Sequence, residues 1–289
     1  MLDLGHLRSF AEVTERGTVA AAARALGYTP PAVSQHLAKL EIELGVALFD
    51  RAGGRLVLTS AGRALIPMAL EMIDLSDRAR SVVMQPSSRP RLVVAGFASA
   101  ISTVVVPHLS AIRELMDIEI IEAEDAEAMR DLALGSVDLV LTQEYDGNMV
   151  EHDPRFIYVP ILRDELKLVL PSARSSSVGV ADLAGEPWLL NGRATRCAEA
   201  TRHLLATNGI QPNVHGTISD NTTLLKLVAA GHGATIVPSS VLNDHHDVVV
   251  SNERLGVYRT ILGVIRAAVA SDVQPLLDQL IQDRSEPTP

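Results

Sequence analysis

Between residues 18 and 41 the chain reads TVAAAARALGYTPPAVSQHLAKLE, and this stretch limits the possible folds more than any other. Two short helical patterns meet at a glycine. Ala23 stands where two helix backbones would cross, Gly27 where the turn needs a glycine, and Val33 where the second helix needs a β-branched core residue. Those are the requirements of a helix-turn-helix, whose second helix lies in the DNA major groove. The segment predicts a DNA-binding head, and the remaining two thirds of the chain must supply its control.

The flanking sequence extends the same unit. Leu4, Leu7, Phe10, Ala11, Val13 and Thr14 give a first amphipathic helix, closed by Gly17. Thr18 can cap the second helix and Thr29 the third, with Pro30 at the first position, where a missing N–H costs nothing. The third helix is expected to reach Leu44 and stop at Gly45. LFDRAGGRLVLT then reads as two short strands around Gly53-Gly54, a β-hairpin wing. From Thr59 onward Ala61, Leu65, Met68, Met72, Leu75, Ala79 and Val82 step alternately by four and three. That is a heptad seam, which favours pairing with a second helix; burial of the stripe against the helix's own domain is the alternative.

Charge is divided unevenly. The net charge is −10, yet up to residue 86 nine basic residues (Arg8, Arg16, Arg24, Lys39, Arg51, Arg55, Arg63, Arg78, Arg80) are matched by nine acids. The whole excess lies beyond the head. Attraction to phosphate is therefore modest, and binding should rest on dimerisation and a few well-placed cations. The single cysteine, Cys197, excludes an internal disulfide and fits a reducing compartment. No apolar run reaches the ~18 residues of a membrane span, and the opening MLDLGHLRSFAEV lacks a signal-peptide layout. A cytoplasmic protein with no membrane partner is expected. No phosphate-cradling glycine loop or Gly-x-Ser-x-Gly elbow is present, so neither an enzyme nor a cofactor is expected. His245-His246, between Asp244 and Asp247, reads as a solvated loop rather than a metal site.

After the hinge MQPSSRP, strand and helix patterns alternate. Strands are expected at 92–97, 118–122, 138–142, 166–170, 214–218, 234–237 and 258–264. Helices are expected at 103–115, 126–134, 197–207, 222–230 and 273–282. The alternation predicts two parallel sheets with helices on both faces and a cleft between them. Ligands in such folds sit beyond the carboxyl ends of strands, at helix N-termini. That rule selects Ser99, Ala100 and Ser102, then Thr142 and Gln143, then Asn191, Arg193 and Arg196, then Asp220, Asn221 and Pro238. Ordinary helix capping accounts for any one of them, Ser102 and Asn221 above all. Arg193 or Arg196 near Ser99 would favour an anion such as a carboxylate; a polar neutral ligand is the alternative. Cys197 would be a redox-sensing thiol if Arg196 lowered its pKa, but a lone cysteine at a helix start is more often a small core residue.

The chain resembles the LysR-type transcriptional regulators over nearly its whole length. The resemblance is carried by Leu7-Arg8-Ser9-Phe10, by Ala21 to Leu26, by Pro31-Ala32-Val33-Ser34, and by Leu40-Glu41 and Leu44-Gly45. It continues through Leu48-Phe49-Asp50-Arg51, Leu58-Thr59-Ser60-Ala61-Gly62, Leu227 to Gly233 and Ile236-Val237-Pro238. It implies an α/β protein overall. An all-α winged helix-turn-helix domain would span 1–59 and a linker and dimerisation helix 60–88. A two-subdomain effector domain of the type 2 periplasmic-binding-protein kind would span 89–289. Subdomain I would cover about 89–162 and 264–289, and subdomain II about 163–263. The implied partners are double-stranded operator DNA, a small-molecule effector and further copies of the chain, as homodimer or homotetramer, with RNA polymerase reached indirectly. Base edges would be met by Pro30, Pro31, Ser34 and Gln35, and phosphates by Thr29, His36, Lys39, Arg51 and Arg55. Pro30 stands where the family commonly has glutamine, and Gln35 where it often has arginine. The docking mode therefore carries over but the target sequence does not. Two other readings are a thiol-based redox regulator and a DNA-binding protein with no effector.

Overall fold

The computed structural model describes residues 2–52, 55–84, 89–147, 151–192, 195–242 and 247–282. The first three helices are α1 (Leu4–Arg16), α2 (Val19–Leu26) and α3 (Pro30–Leu44). Each opens on a side-chain cap: the Asp3 carboxylate accepts from the N–H groups of Gly5 and His6, Thr18 from Ala21, and Thr29 from Ala32. Gly27 turns the chain at φ +68, a conformation that L side chains resist. Ala23 and Val33 lie fully inside the head's core with Leu7, Phe10 and Leu40. The wing is β1 (Phe49–Ala52) paired antiparallel with β2 (Arg55–Leu58). Glu41 ties it to α3, because its carboxylate accepts from the N–H groups of Leu48 and Phe49. The wing turn, Gly53-Gly54, lies outside the described residues.

The linker helix α4 (Ser60–Met84) has 25 residues, about 38 Å at ~1.5 Å per residue. It starts against the head, where Gly62 lies so close to the Leu48 carbonyl that no Cβ would fit. Ile66, Ala69 and Ile73 are buried in the head's core, and Leu65 packs at its margin. Met68, Met72, Leu75 and Ala79 point outward and are exposed. The seven-residue seam read from the sequence is thus shared: Ala61 and Leu65 serve the head, and the later members stay bare. The Val82 side chain lies outside the described residues.

The second unit opens with β3 (Arg91–Gly96). The helix expected at 103–115 is an irregular composite. Helix α5 (Ala98–Ala100) runs through a π turn (Ile101–Val105) and a 3-10 turn (Val106–His108) into α6 (Leu109–Leu115). Next come β4 (Asp117–Glu122), α7 (Asp125–Leu134) and β5 (Leu139–Tyr145). Strand β6 (Phe156–Pro171) is 16 residues long and passes from one subdomain into the other. The second subdomain adds β7 (Pro187–Asn191), α8 (Arg196–Thr207), β8 (Asn213–Ile218), α9 (Asn221–Ala229), β9 (Thr235–Pro238) and β10 (Val248–Val250). Strand β11 (Tyr258–Arg266) and α10 (Ala270–Gln282) return to the first.

The sheets are mixed rather than wholly parallel. Strands β3, β4 and β5 run parallel, but β11 lies antiparallel to both β5 and β6. In the second subdomain β7 and β8 are parallel, while β9 and β10 run antiparallel to β6. The reason is connectivity: two strands carry the chain across and back, so they oppose each other. Strand β6 pairs with β11 as far as Glu165 and with β9 from Leu166. All of β11 pairs within the first subdomain, so the return falls at 257–258, a few residues before the expected 263–264.

The two units touch. Arg266, at the end of β11, donates to Asp74 on α4 at 2.9 Å, with both side chains buried. Arg155 bonds Glu15 on α1 at 2.6 Å. At the end of α7, Leu134 packs against the head's core.

Candidate functional site

The outward face of α3 carries Pro30, Pro31, Ser34, Gln35 and Lys39, all exposed, with the capping Thr29 beside them. Its inner face is spent on the core through Val33, Leu37 and Leu40. His36 differs from its neighbours. Its Nδ1 lies 2.7 Å from the Ser9 hydroxyl, and its ring sits between those of His6 and Tyr28. Burial holds its pKa below the usual imidazole value, with His6 and Lys39 adding to the effect. Its packing keeps α1 and α3 in register. Arg51 and Arg55 lie on β1 and β2 at the wing, beside the undescribed turn. A groove-sized helix thus presents an amide and a hydroxyl beside a cation, the groups that read base edges and hold phosphate.

The predicted cleft residues separate into two groups. The first gathers around Arg259. That side chain is 1% exposed and grips Asp164 through Nε at 3.1 Å and Nη2 at 3.0 Å. Its Nη2 also donates to Ser240 at 2.9 Å and its Nη1 to Ser99 at 3.1 Å. The cation beside Ser99 is therefore Arg259, not Arg196, and it is already neutralised. Of the neighbouring candidates, Ala100 is buried in the core and Ser102 bonds back to the Ser99 carbonyl. Gln143 accepts from the Tyr145 hydroxyl.

The second group encloses a cavity of about 200 Å³ bounded by Asp125, Ala126, Met129, Thr142, Glu144, Tyr158 and Arg196. Thr142 and Glu144 alternate onto one face of β5; Asp125 opens α7 and Arg196 opens α8. Arg196 Nε donates to Asp125 Oδ2 at 3.0 Å, joining the two subdomains across the cavity. Burial pushes the Asp125 carboxyl above the usual carboxylate range, against the lowering pull of Thr142 and Arg196. Glu144 meets His152 Nε2 at 2.7 Å, and the His152 ring stacks on Tyr158 at 3.9 Å. Sequence reasoning found Thr142 and Arg196 here. It missed Asp125, Glu144 and Tyr158, and around Arg259 it missed Asp164 and Ser240. The rule about strand ends could have found Asp125, the first residue of a helix that follows a strand.

The other candidates serve local structure. Asn191 donates to Asn221 at 2.5 Å, Asp220 caps α9 through the Thr223 N–H, and Pro238 is buried in a strand pair with Leu166. Arg193, Asp244, His245 and His246 lie outside the described residues. Cys197 is buried against Tyr145 in the second subdomain's core, and burial pushes its thiol up. Among the described residues no His, Cys, Asp and Glu cluster could hold a metal, and no helix is long and apolar enough to cross a membrane.

A winged helix-turn-helix joined to a two-lobed α/β domain with a charged cavity between its lobes defines a DNA-binding regulator class. Residues 4–63 match the family described as bacterial regulatory helix-turn-helix protein, lysR family, and residues 85–282 match the LysR substrate binding domain. The chain belongs to the LysR family of transcriptional regulators. It is 29% identical to the HTH-type transcriptional regulator MetR of Salmonella typhimurium, over 90% of this chain and 80% of that one. Its fold is similar to that of a full-length OxyR variant from Pseudomonas aeruginosa, with TM-score 0.63, 18% identity and coverage of 100% and 99% of the two chains. CbnR, solved full-length with its target DNA, is similar with TM-score 0.53, 24% identity and coverage of 96% and 100%.

Proposed function

We propose that this regulator reads an operator with α3 and is switched by a small molecule entering the Asp125–Arg196 cavity. Pro30, Pro31, Ser34 and Gln35 face the bases; Thr29, Lys39, Arg51 and Arg55 meet the phosphates. His36 is given a positioning role, because its ring is held against α1. The protein acts in the cytoplasm as a homodimer or larger homo-oligomer, with the bare face of α4 (Met68, Met72, Leu75, Ala79) against a second copy.

One observation carries the switching. Helix α7 begins in the cavity with Asp125, which reaches the opposite lobe through Arg196, and ends with Leu134 against the head's core. Both ends belong to one rigid element of ten residues, about 15 Å long. A ligand that displaces Arg196 from Asp125 acts on α7 directly, and so on the seat of the head. It shifts the equilibrium only as far as it binds the two arrangements differently. Cys197 is set aside as a sensor, since a buried thiol with a raised pKa carries little reactive thiolate.

The test is a charge swap. Asp125→Arg and Arg196→Asp should each change retention of the intergenic DNA beside the protein's own gene, and the double swap should restore it. Unaltered retention in all three, at matched folding, would refute the cavity-to-head route.

A further inference from the structure

The outward face of α3 also constrains which base pairs it can read, an inference that rests on the proposed operator reading. Pro31, Ser34, Gln35 and Ala38 follow the i, i+3, i+4, i+7 spacing of one helix face, and all four are exposed. Pro31 and Ala38 hold the midline, about 10 Å apart at ~1.5 Å per residue, with Ser34 and Gln35 flanking it on either side. That span covers about three base pairs at roughly 3.4 Å per step. Lys39 stands at the flank, and α3 contains no arginine, the side chain that most often grips guanine O6 and N7. One turn beyond Lys39 the exposed Glu43 would bring a carboxylate toward phosphate, so contact with bases ends near Ala38.

A midline of this kind suits one edge pattern in the major groove. Thymine presents a 5-methyl group there beside its O4 acceptor, whereas guanine presents two acceptors and cytosine an amino donor. Pro31 and Ala38 bring no side-chain donor or acceptor. Set against a methyl group, each buries apolar surface on both partners. Set against cytosine N4 or guanine O6, each strips water from a polar group and returns no hydrogen bond. Gln35, between them, has the amide that bonds adenine N6 and N7 together. The residue types and their order agree on a short run of A·T pairs. Burial of Val33, Leu37 and Leu40 fixes which face turns outward, so the fold itself sets the order in which these groups meet the groove.

We infer that α3 recognises an A·T run of about three pairs, with Gln35 on an adenine and Pro31 and Ala38 against the 5-methyl groups of thymines to either side. Ala38 thereby becomes a specificity residue, although its side chain carries no polar atom.

Removing single methyl groups from the DNA tests this. Sites are selected with the full chain from random duplexes, and one site is remade with uracil for each thymine in turn. Two thymines should each show about a fourfold loss of affinity on exchange, the worth of one buried methyl-sized group. In Pro31→Ala one of those losses should fall to about twofold or less, and in Ala38→Gly the other. Each ratio compares thymine with uracil in the same variant, so any general weakening of the helix cancels. Ile42→Asn, beyond the end of the contact face and 79% exposed, should leave both losses in place. Replacing either T·A pair by C·G should weaken binding, and 5-methylcytosine at that position should restore part of it. Uracil tolerated at every thymine, or losses unaltered in both variants, would overturn the methyl reading and leave operator binding standing. Selected sites with G·C pairs throughout the α3 contact would overturn it too. Failure to select any DNA would remove this inference and the operator reading together.

Discussion

Replacing Arg259 alone should damage this protein more than replacing Arg259 and Asp164 together. The pair is bidentate and nearly sealed from water, with side-chain exposures of 1% and 5%. Arg259→Met leaves Asp164 as a buried carboxylate whose remaining described donor is the Ser240 N–H at 3.3 Å. Stranding one partner of a buried pair costs about 3–5 kcal/mol. For a domain of some 200 residues each kcal/mol moves the melting temperature by roughly 2–4 °C, so the single change should lower it by about 6–20 °C. The loss should shrink in acid, because a stranded carboxylate has a raised pKa and its penalty grows as pH climbs above the unfolded value of about 4. Arg259→Met with Asp164→Leu removes both charges. What remains is the lost partner of the Ser99 and Ser240 hydroxyls, about 1 kcal/mol each. Melting followed by circular dichroism on the four chains closes the cycle. If Arg259→Met costs under about 1 kcal/mol, or the double variant loses the sum of the two singles, the reading of this pair as a charge that cannot be stranded is wrong.

Other outcomes follow from the same structure. Gln35→Ala should cost about 1–3 kcal/mol at one operator position, measured by gel retardation across single-base variants; an equal loss at every variant would refute base reading. Met68→Asp and Leu75→Asp should reduce assembly in sedimentation experiments while leaving each chain folded, whereas Ala69→Asp, 0% exposed, should unfold the head. Native Cys197 should resist thiol reagents near neutral pH and react on unfolding. Because its folded pKa is raised, its contribution to stability is fully present below the ordinary thiol value of about 8.5 and fades as pH rises beyond it. Cys197→Ser should flatten that alkaline loss, and a peroxide response in the parent chain abolished by the same change would restore the thiol reading.

What could be read from the sequence was local. Thr18 and Thr29 cap helices through residues three places on, and Gly27 turns a chain whose constraints lie within a few positions. The head therefore announced itself. Of strand β6 only 166–170 did, because Pro160, Arg163, Asp164 and Glu165 interrupt the apolar run before it. Asp164 tolerates burial through Arg259, 95 residues later, with the Ser240 N–H beside it. Asp125 and Arg196 stand 71 residues apart, so neither segment alone reveals a cavity. The parallel-sheet expectation failed similarly: alternation of strands and helices carries no record of which strand returns between lobes. Arg196 borders the cavity, but its pairing with Asp125 could not be read from its own segment.

Helix α4 is claimed on one side by the head, through Ile66, Ala69 and Ile73, while its other side offers Met68, Met72 and Leu75 to whatever adjoins it. Both claims act on one stiff rod. Rolling two such rods against each other by a single residue, about 100° at 3.6 residues per turn, would carry each head around by the same angle. In the proposed assembly the geometry of subunit contact and the aim of the recognition helix are therefore a single degree of freedom, and a change in either is read out in the other.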